Sequence, residues 1–233
     1  MMPSALPTKR ANVSKQCLVL AVRPPGCGAR EVRYHPFSEA QRWENPIVDP
    51  GNGCRSGLPR RSTLSDGRVT LRAPLAADVD DYARSATDPD IIDFTHVPLD
   101  FGREGAVRFV DAAAAEWESG EQARFAISLT DAPSQLVGSI SLVHLNWDTC
   151  TAEIGYWLLP EARGRGLATR SVRLVTAWAF DVVGLVELRA EVFDGNDASW
   201  QALVANGFRQ VGHEVITHRG SQRGQRLAAR EVR

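Results

Sequence analysis

Glu153–Val172 reads EIGYWLLPEARGRGLATRSV. An alternating segment runs into Pro160, two glycines sit among arginines at Arg163-Gly164-Arg165-Gly166, and a helical period starts at once. A simple turn needs only one glycine. The first turn of a helix exposes N–H groups without partners and carries about half a positive charge from the aligned peptide dipoles. Glycines just ahead of that turn let an anion reach the backbone with no Cβ in the way. Arg163, Arg165 and Arg170 add charge nearby, so the stretch predicts a cradle for phosphate or pyrophosphate.

The flanks give this loop its setting. Upstream, ARFAISL alternates Phe125, Ile127 and Leu129, and QLVGSISLVHLN forms a second strand. TAEIGYWLL forms a third, with Ala152, Ile154, Tyr156 and Leu158 on one face and Glu153 and Trp157 on the other. Short turns at DAPS and NWDT make the three an antiparallel meander. Downstream, Ala168, Val172, Val175, Ala179 and Val182 line one helix face that stops at Gly184. LVELRAEVF then alternates again, and strand, helix and strand form a right-handed parallel crossover. DGNDASWQALVANGF adds a loop and a short helix capped by Asn196. Before the meander, GRVTLRAP reads as a strand, Ala76–Thr87 as an acidic helix, and REGAVRFVDAAAAEWESG as a helix with Val107, Val110, Ala114 and Trp117 inward. The order β, α, α, β, β, β, α, β, α, β describes one mixed α/β (α+β) domain.

Known phosphate cradles differ in detail. The P-loop needs a Lys-Ser/Thr that this stretch lacks. The dinucleotide fingerprint keeps Gly164 and Gly166 and has Glu187 about 20 residues on, but Thr169 replaces its third glycine and its strand belongs to a meander. A nicotinamide oxidoreductase is thus a distant alternative. Arg163-x-x-Gly166-x-Ala168 resembles the R/Q-x-x-G-x-G/A signature of the GNAT superfamily of acetyl-CoA-dependent N-acetyltransferases. With AEIGYWLLPEARGRGLAT, the N-x-x-S of Asn196 and Ser199, and NGF at 206–208, the chain is similar to the RimJ/RimL branch from about Leu64 to Gly212.

The resemblance implies a central, mixed and mostly antiparallel sheet flanked by helices, with a splayed parallel strand pair that takes CoA. It implies that acetyl-CoA is the co-substrate, with no metal, and that an amine accepts the acetyl group. The backbone of Arg163, Gly164, Arg165, Gly166, Leu167, Ala168 and Thr169 would hold the pyrophosphate. Trp157, Leu158 and Leu159 would pair with the pantetheine arm, with Asn196 and Ser199 beside it. Glu153 is the candidate base for the amine, with His144 and His96 behind it, and Ser199 the candidate donor to the leaving sulfur. Many relatives carry a Tyr where this chain has Leu203, and often a Glu where it has Arg170. A non-catalytic acyl-CoA sensor of the same fold is the alternative function.

Composition bounds the partners. Residues 1–62 hold ten Lys+Arg against four Asp+Glu, whereas residues 63–233 hold 17 against 24 and no lysine. An acidic body argues against nucleic acid as a ligand, and no apolar run reaches the ~18 residues of a membrane span. The reading is a cytoplasmic monomer or homodimer. Cys17, Cys27, Cys54 and Cys150 show no metal-ligand spacing, so neither a zinc site nor a disulfide framework is expected, and Cys150 reads as an ordinary thiol. Residues 1–62, rich in Pro, Gly and Arg, read as a disordered extension or a mis-assigned start. Residues 63–220 form the domain and residues 221–233 a basic tail, which stands in place of the final strand of the family pattern.

Overall fold

The computed structural model describes Cys54, residues 57–61 and residues 63–232. The expectation for the remainder of residues 1–62 lies outside them. Eight strands form one sheet: β1 (Leu64–Ser65), β2 (Val69–Arg72), β3 (Ala123–Leu129), β4 (Ala132–Asn146), β5 (Thr151–Leu158), β6 (Glu187–Phe193), β7 (Arg209–His218) and β8 (Ser221–Glu231). Their spatial order is β1-β2-β3-β4-β5-β6-β8-β7. Helices α1 (Val79–Ser85), α2 (Pro89–Phe94) and α3 (Gly102–Ser119) precede the meander. Helix α4 (Leu167–Trp178) links β5 to β6, and α5 (Asp197–Val204) follows β6.

Alternation along the meander sorts side chains onto two faces. Phe125, Ile140 and Tyr156 stand opposite one another across β3, β4 and β5. That face packs Ile127, Leu142, Ile154, Leu188 and Ala190 against Val172 and Val175 of α4 and Leu203 of α5. The other face sets Ala126, Leu136 and Trp157 against Val79 and Tyr82 of α1 and Ala106 of α3. Both faces are covered, so β3 is buried along nearly its whole length rather than alternately.

Several expectations are corrected by packing. In α3, Ala114 is exposed, and the buried stripe runs through Ala106, Ala113, Glu116 and Trp117. Glu116 turns inward because Arg124 of β3 meets it at 2.7 Å. After α4, a π turn over Ala179–Val183 widens the helix, so Val183 is buried and Val182 is 45% exposed.

The stretch expected as a basic tail is ordered sheet from Ser221 to Glu231. Residues 221–231 are strand β8, which enters the sheet between β6 and β7. Its arginines have specific partners rather than solvent. Arg223 meets Asp93 at 2.6 Å and lies over Phe94. Arg226 meets Asp197 at 2.7 Å and lies over Trp200, and Arg230 donates to the carbonyl of Asn206.

Cys54 and Cys150 are joined as a disulfide, contrary to the sequence expectation. No local spacing could signal it, because 96 residues separate the partners and the tertiary fold alone brings their Cα atoms to 5.6 Å. The stretch beside Cys54 also packs onto the domain. Leu58 touches the core, the carbonyl of Pro59 accepts from Trp117 Nε1 at 2.8 Å, and Arg61 lies over the Trp117 ring. The packed domain thus extends on the N-terminal side of residue 63.

Candidate active site

Strand β5 organises the site. Along β4 it is paired as far as Leu158, but along β6 the parallel pairing covers only Thr151, Ala152 and Glu153, opposite Glu187, Leu188 and Arg189. Beyond that point β5 and β6 separate. Leu159 donates its N–H to Val137 of β4 at 3.0 Å. By alternation Leu158 and Tyr156 turn their backbone polar groups to the opposite edge, toward the gap. On the face of β5 that carries Glu153, a Cβ built on Gly155 would meet nothing within 4 Å among the described residues. Of the expected contact residues Trp157–Leu159, Leu158 is the one whose backbone turns to the gap edge, and its carbonyl accepts from Arg163 Nε at 3.1 Å.

The loop after β5 builds the cradle from backbone geometry. Pro160–Ala162 makes a single tight turn that uses the Arg163 N–H, which donates to the Pro160 carbonyl at 3.2 Å. Gly164 and Gly166 have φ of 70° and 72°, the left-handed region that favours glycine. A Cβ built on either would meet nothing within 4 Å among the described residues. Gly166 caps α4, whose first internal bond runs from Arg170 N–H to the Gly166 carbonyl. Among the described residues, the N–H groups of Leu167, Ala168 and Thr169 are therefore the unpaired donors of the first turn. The cradle is narrower than expected by one donor, since Arg163 N–H is already engaged.

The three arginines do not act alike. Arg163 reaches away from the loop to Asp88 and Asp90 at the start of α2. Arg170 pairs with Asp66 at 2.6 Å. Only Arg165 is exposed and without an ion pair among the described residues. The added positive charge beside the cradle thus comes from Arg165, while Arg163 fastens the loop to α2.

Two side-chain pairs lie on opposite faces of β5. On the α5 face, the Tyr156 hydroxyl sits 2.9 Å from Ser199 Oγ and 3.1 Å from the Ser199 carbonyl oxygen. Asn196 Oδ1 accepts from Ser199 N–H at 3.2 Å, so Asn196 serves as the helix cap that places Ser199. Burial pushes the Tyr156 phenol up to about 12, against a smaller opposing effect of the Ser199 hydrogen bond. Leu203 is fully buried in the core and offers no hydroxyl. Sequence reading missed Tyr156, because its place in the Ile154-Tyr156-Leu158 alternation marked it as core. The only signal was a phenol among aliphatic neighbours, since a buried Tyr needs a hydrogen-bond partner.

On the other face, Glu153 Oε2 lies 3.0 Å from His144 Nδ1. His144 reaches it from an irregularity in β4, between the paired positions Val143 and Asn146, with φ of 51°. The Glu153 hydrogen bond raises the His144 pKa, with burial opposing and the charges of Glu153 and Glu191 reinforcing. Across the gap, Glu191 of β6 faces His96 Nε2 at 3.8 Å. His96 in turn packs edge-on against His218, which burial and then the charge of His96 hold below the usual imidazole range. The expected base and sulfur donor thus flank the open end of the β5–β6 pair from opposite faces of the sheet.

Comparisons place this architecture. Residues 68–209 match the family model described as Acetyltransferase (GNAT) domain. Among curated proteins, the N-acetyltransferase YoaA of Bacillus subtilis is 31% identical over 109 residues, covering 47% of this chain and 61% of that protein. The chain spans only 42–61% of the length of the curated relatives it matches. RimJ of Mycobacterium smegmatis, solved with CoA-disulfide, superposes with a TM-score of 0.62 at 22% identity, over 74% of this chain and 88% of that one. Spermidine N-acetyltransferase of Vibrio cholerae, solved with CoA and spermine, gives 0.63 at 17% identity over 71% and 96%. These likenesses show a shared fold, and the family model spans more than half of the sequence: the chain belongs to the GNAT acetyltransferase family.

Proposed function

We propose that this protein transfers the acetyl group of acetyl-CoA to a primary amine, either a protein N-terminal α-amine or a small-molecule amine, by direct attack. One observation carries the reading. A strand pair parts after Glu153 and Arg189, and the loop at the end of the parted strand carries two left-handed glycines that open a helix with unpaired N–H groups. The N–H groups of Leu167, Ala168 and Thr169 would hold the pyrophosphate, supported by the helix dipole and by Arg165. The free backbone edge of β5 would guide the pantetheine arm into the gap.

Attack requires a neutral amine. An α-amine has an ordinary pKa near 8, so a carboxylate acting directly or through water can take its proton at neutral pH, whereas a lysine near 10.4 asks more of the site. Glu153 is that base. Its hydrogen bond to His144 fixes the carboxylate beside the gap. As the C–N bond forms, the C–S bond breaks and the sulfur leaves as a thiolate. Ser199, on the opposite face, donates a hydrogen bond to it. No enzyme nucleophile is involved.

The test is thiol release from acetyl-CoA across a panel of N-terminal peptides, polyamines and simple amines. Release with at least one class is expected, and Glu153→Gln should lower turnover by about 10²-fold, the scale of lost general-base catalysis. CoA affinity should barely change, and the deficit should shrink as pH rises and solvent deprotonates the amine. CoA binding without thiol release over the whole panel would establish a binding-only protein instead.

A further inference from the structure

We infer that Tyr156 is a positioning residue for the reaction, the group that frees the Ser199 hydroxyl to point its proton at the leaving sulfur. The inference rests on the acetyl-transfer reading above. Three observations join in it. Tyr156 lies on β5 beyond the last residue paired with β6, so its side chain flanks the gap rather than a closed stretch of sheet. Its hydroxyl is within hydrogen-bond distance of both the side-chain and main-chain oxygens of Ser199. The Ser199 main chain is itself fixed by the Asn196 cap, so the serine cannot drift from the phenol without undoing the start of α5.

Proton counting gives the pair its logic. A phenol has one proton and a serine hydroxyl has one, and each oxygen can also accept. When Tyr156 donates to the Ser199 carbonyl, its oxygen is open to the Ser199 proton, and the two hydroxyls satisfy each other. When Tyr156 donates to Ser199 Oγ, the Ser199 proton is released toward the gap. Negative charge developing on sulfur favours the second arrangement. The pair then stabilises the thiolate without giving up a proton. Full transfer from a phenol held near 12 to a thiolate of an ordinary thiol, pKa about 8.5, would run uphill. Over the cycle the acceptor nitrogen loses two protons, one to Glu153 before attack and one as the amide forms. One proton ends on the thiolate through solvent, the other is released to solvent, and both hydroxyls end as they began. This arrangement also accounts for a site without a tyrosine at position 203, since the phenol reaches the same helix from the strand.

The experiment is a double-mutant cycle in the full chain, with thiol release measured on the best acceptor of the panel. Tyr156→Phe and Ser199→Ala should each lower kcat about tenfold, leaving the KM for acetyl-CoA unchanged, on the scale of one lost hydrogen bond to a charged group. The double variant should lose no more than the worse single one, because the two hydroxyls act as a unit. A structural role alone would lower stability without this split between kcat and KM. The inference is overturned if Tyr156→Phe keeps kcat within twofold, or if the two losses multiply in the double variant. Absence of turnover in the unmodified protein would overturn the acetyl-transfer reading itself, and is seen before any variant is made. Should Tyr156→Phe fail to fold, Ser199→Ala still decides: wild-type kcat in that variant overturns the inference.

Discussion

The glycine loop at 160–170 and the hairpin of β7 and β8 at 209–231 are held together by different physics. In the loop, each step is local. Pro160 starts a turn, Gly164 and Gly166 take left-handed conformations that other residues resist, and the helix that follows supplies its own unpaired donors. In the hairpin the turn at Arg219-Gly220 and the ladder between β7 and β8 are local, but what seats the hairpin on the rest of the molecule is not. Strand β8 is defined by lying between β6 and β7, and its arginines by aromatic rings and carboxylates on α2 and α5. A region built from nearby residues should fail in binding before it fails in folding. A region built from distant contacts should do the reverse.

The largest effect should come from the hairpin. Leu227 is 1% exposed at the join of β6, β8 and β7. Leu227→Asp removes a core side chain and buries a carboxylate without a partner. It should cost at least about 3 kcal/mol, a fall in Tm on the order of 10 °C. Thermal unfolding of the variant checks this, and a near-normal Tm would mean that β8 contributes little to the core.

Gly166→Glu should have the opposite profile. The strained backbone costs about 1–2 kcal/mol, but the added carboxylate stands where the anion should rest. CoA affinity should fall at least about 100-fold, near 3 kcal/mol, in a protein that still unfolds cooperatively. CoA titration by calorimetry against Gly166→Ala, which has the strain without the charge, separates the two causes. Equal CoA affinity in the glutamate variant and the parent would make the loop a mere turn.

Arg163→Ala probes where the two regions meet, since α2 is tied to the loop by Arg163 and to the hairpin by Arg223. Half-exposed ion pairs of this kind are worth about 1 kcal/mol or less. A few-fold loss of CoA affinity with a small drop in Tm is expected. A loss as large as that of Gly166→Glu would mean that Arg163 leaves α2 and binds the anion itself.

The smallest effect concerns β5, between the two regions. Glu153 raises the His144 pKa, so the folded state holds that proton more tightly than the unfolded chain does. The resulting stability is fully present below the ordinary imidazole pKa of about 6.5 and fades as pH rises through the raised value. His144→Asn keeps the left-handed backbone tolerable but cannot take up the charge. The wild type should exceed it by up to about 1 kcal/mol at pH 5.5, and the gap should narrow by pH 9. A gap that widens with pH would reverse the assignment.

The contrast also explains what could be read early. Gly164, Gly166 and the α4 period announced the left-handed loop and its helix because left-handed backbone and helical spacing are properties of neighbouring residues. The meander was equally plain, since alternating strands joined by short turns must pair with each other. The same alternation hid Tyr156, because a face assignment says which way a side chain points and nothing about what it meets 43 residues later. The run of arginines suggested a tail, because their partners Asp93, Asp197 and Asn206 lie elsewhere in the chain.

By itself, the sequence determined the order of the strands and longer helices from Val69 to Phe208, though not α2, along with the two left-handed glycines ahead of α4, the Asn196 cap and the face of β5 that carries Glu153. Each follows from backbone preference or periodicity within a few residues. The tertiary structure alone decided that β8 completes the sheet and that Cys54 bonds to Cys150. It also turned Arg163 and Arg170 to aspartates and put the Tyr156 and His144 side chains against Ser199 and Glu153. Those outcomes depend on contacts between segments whose meeting no local preference records.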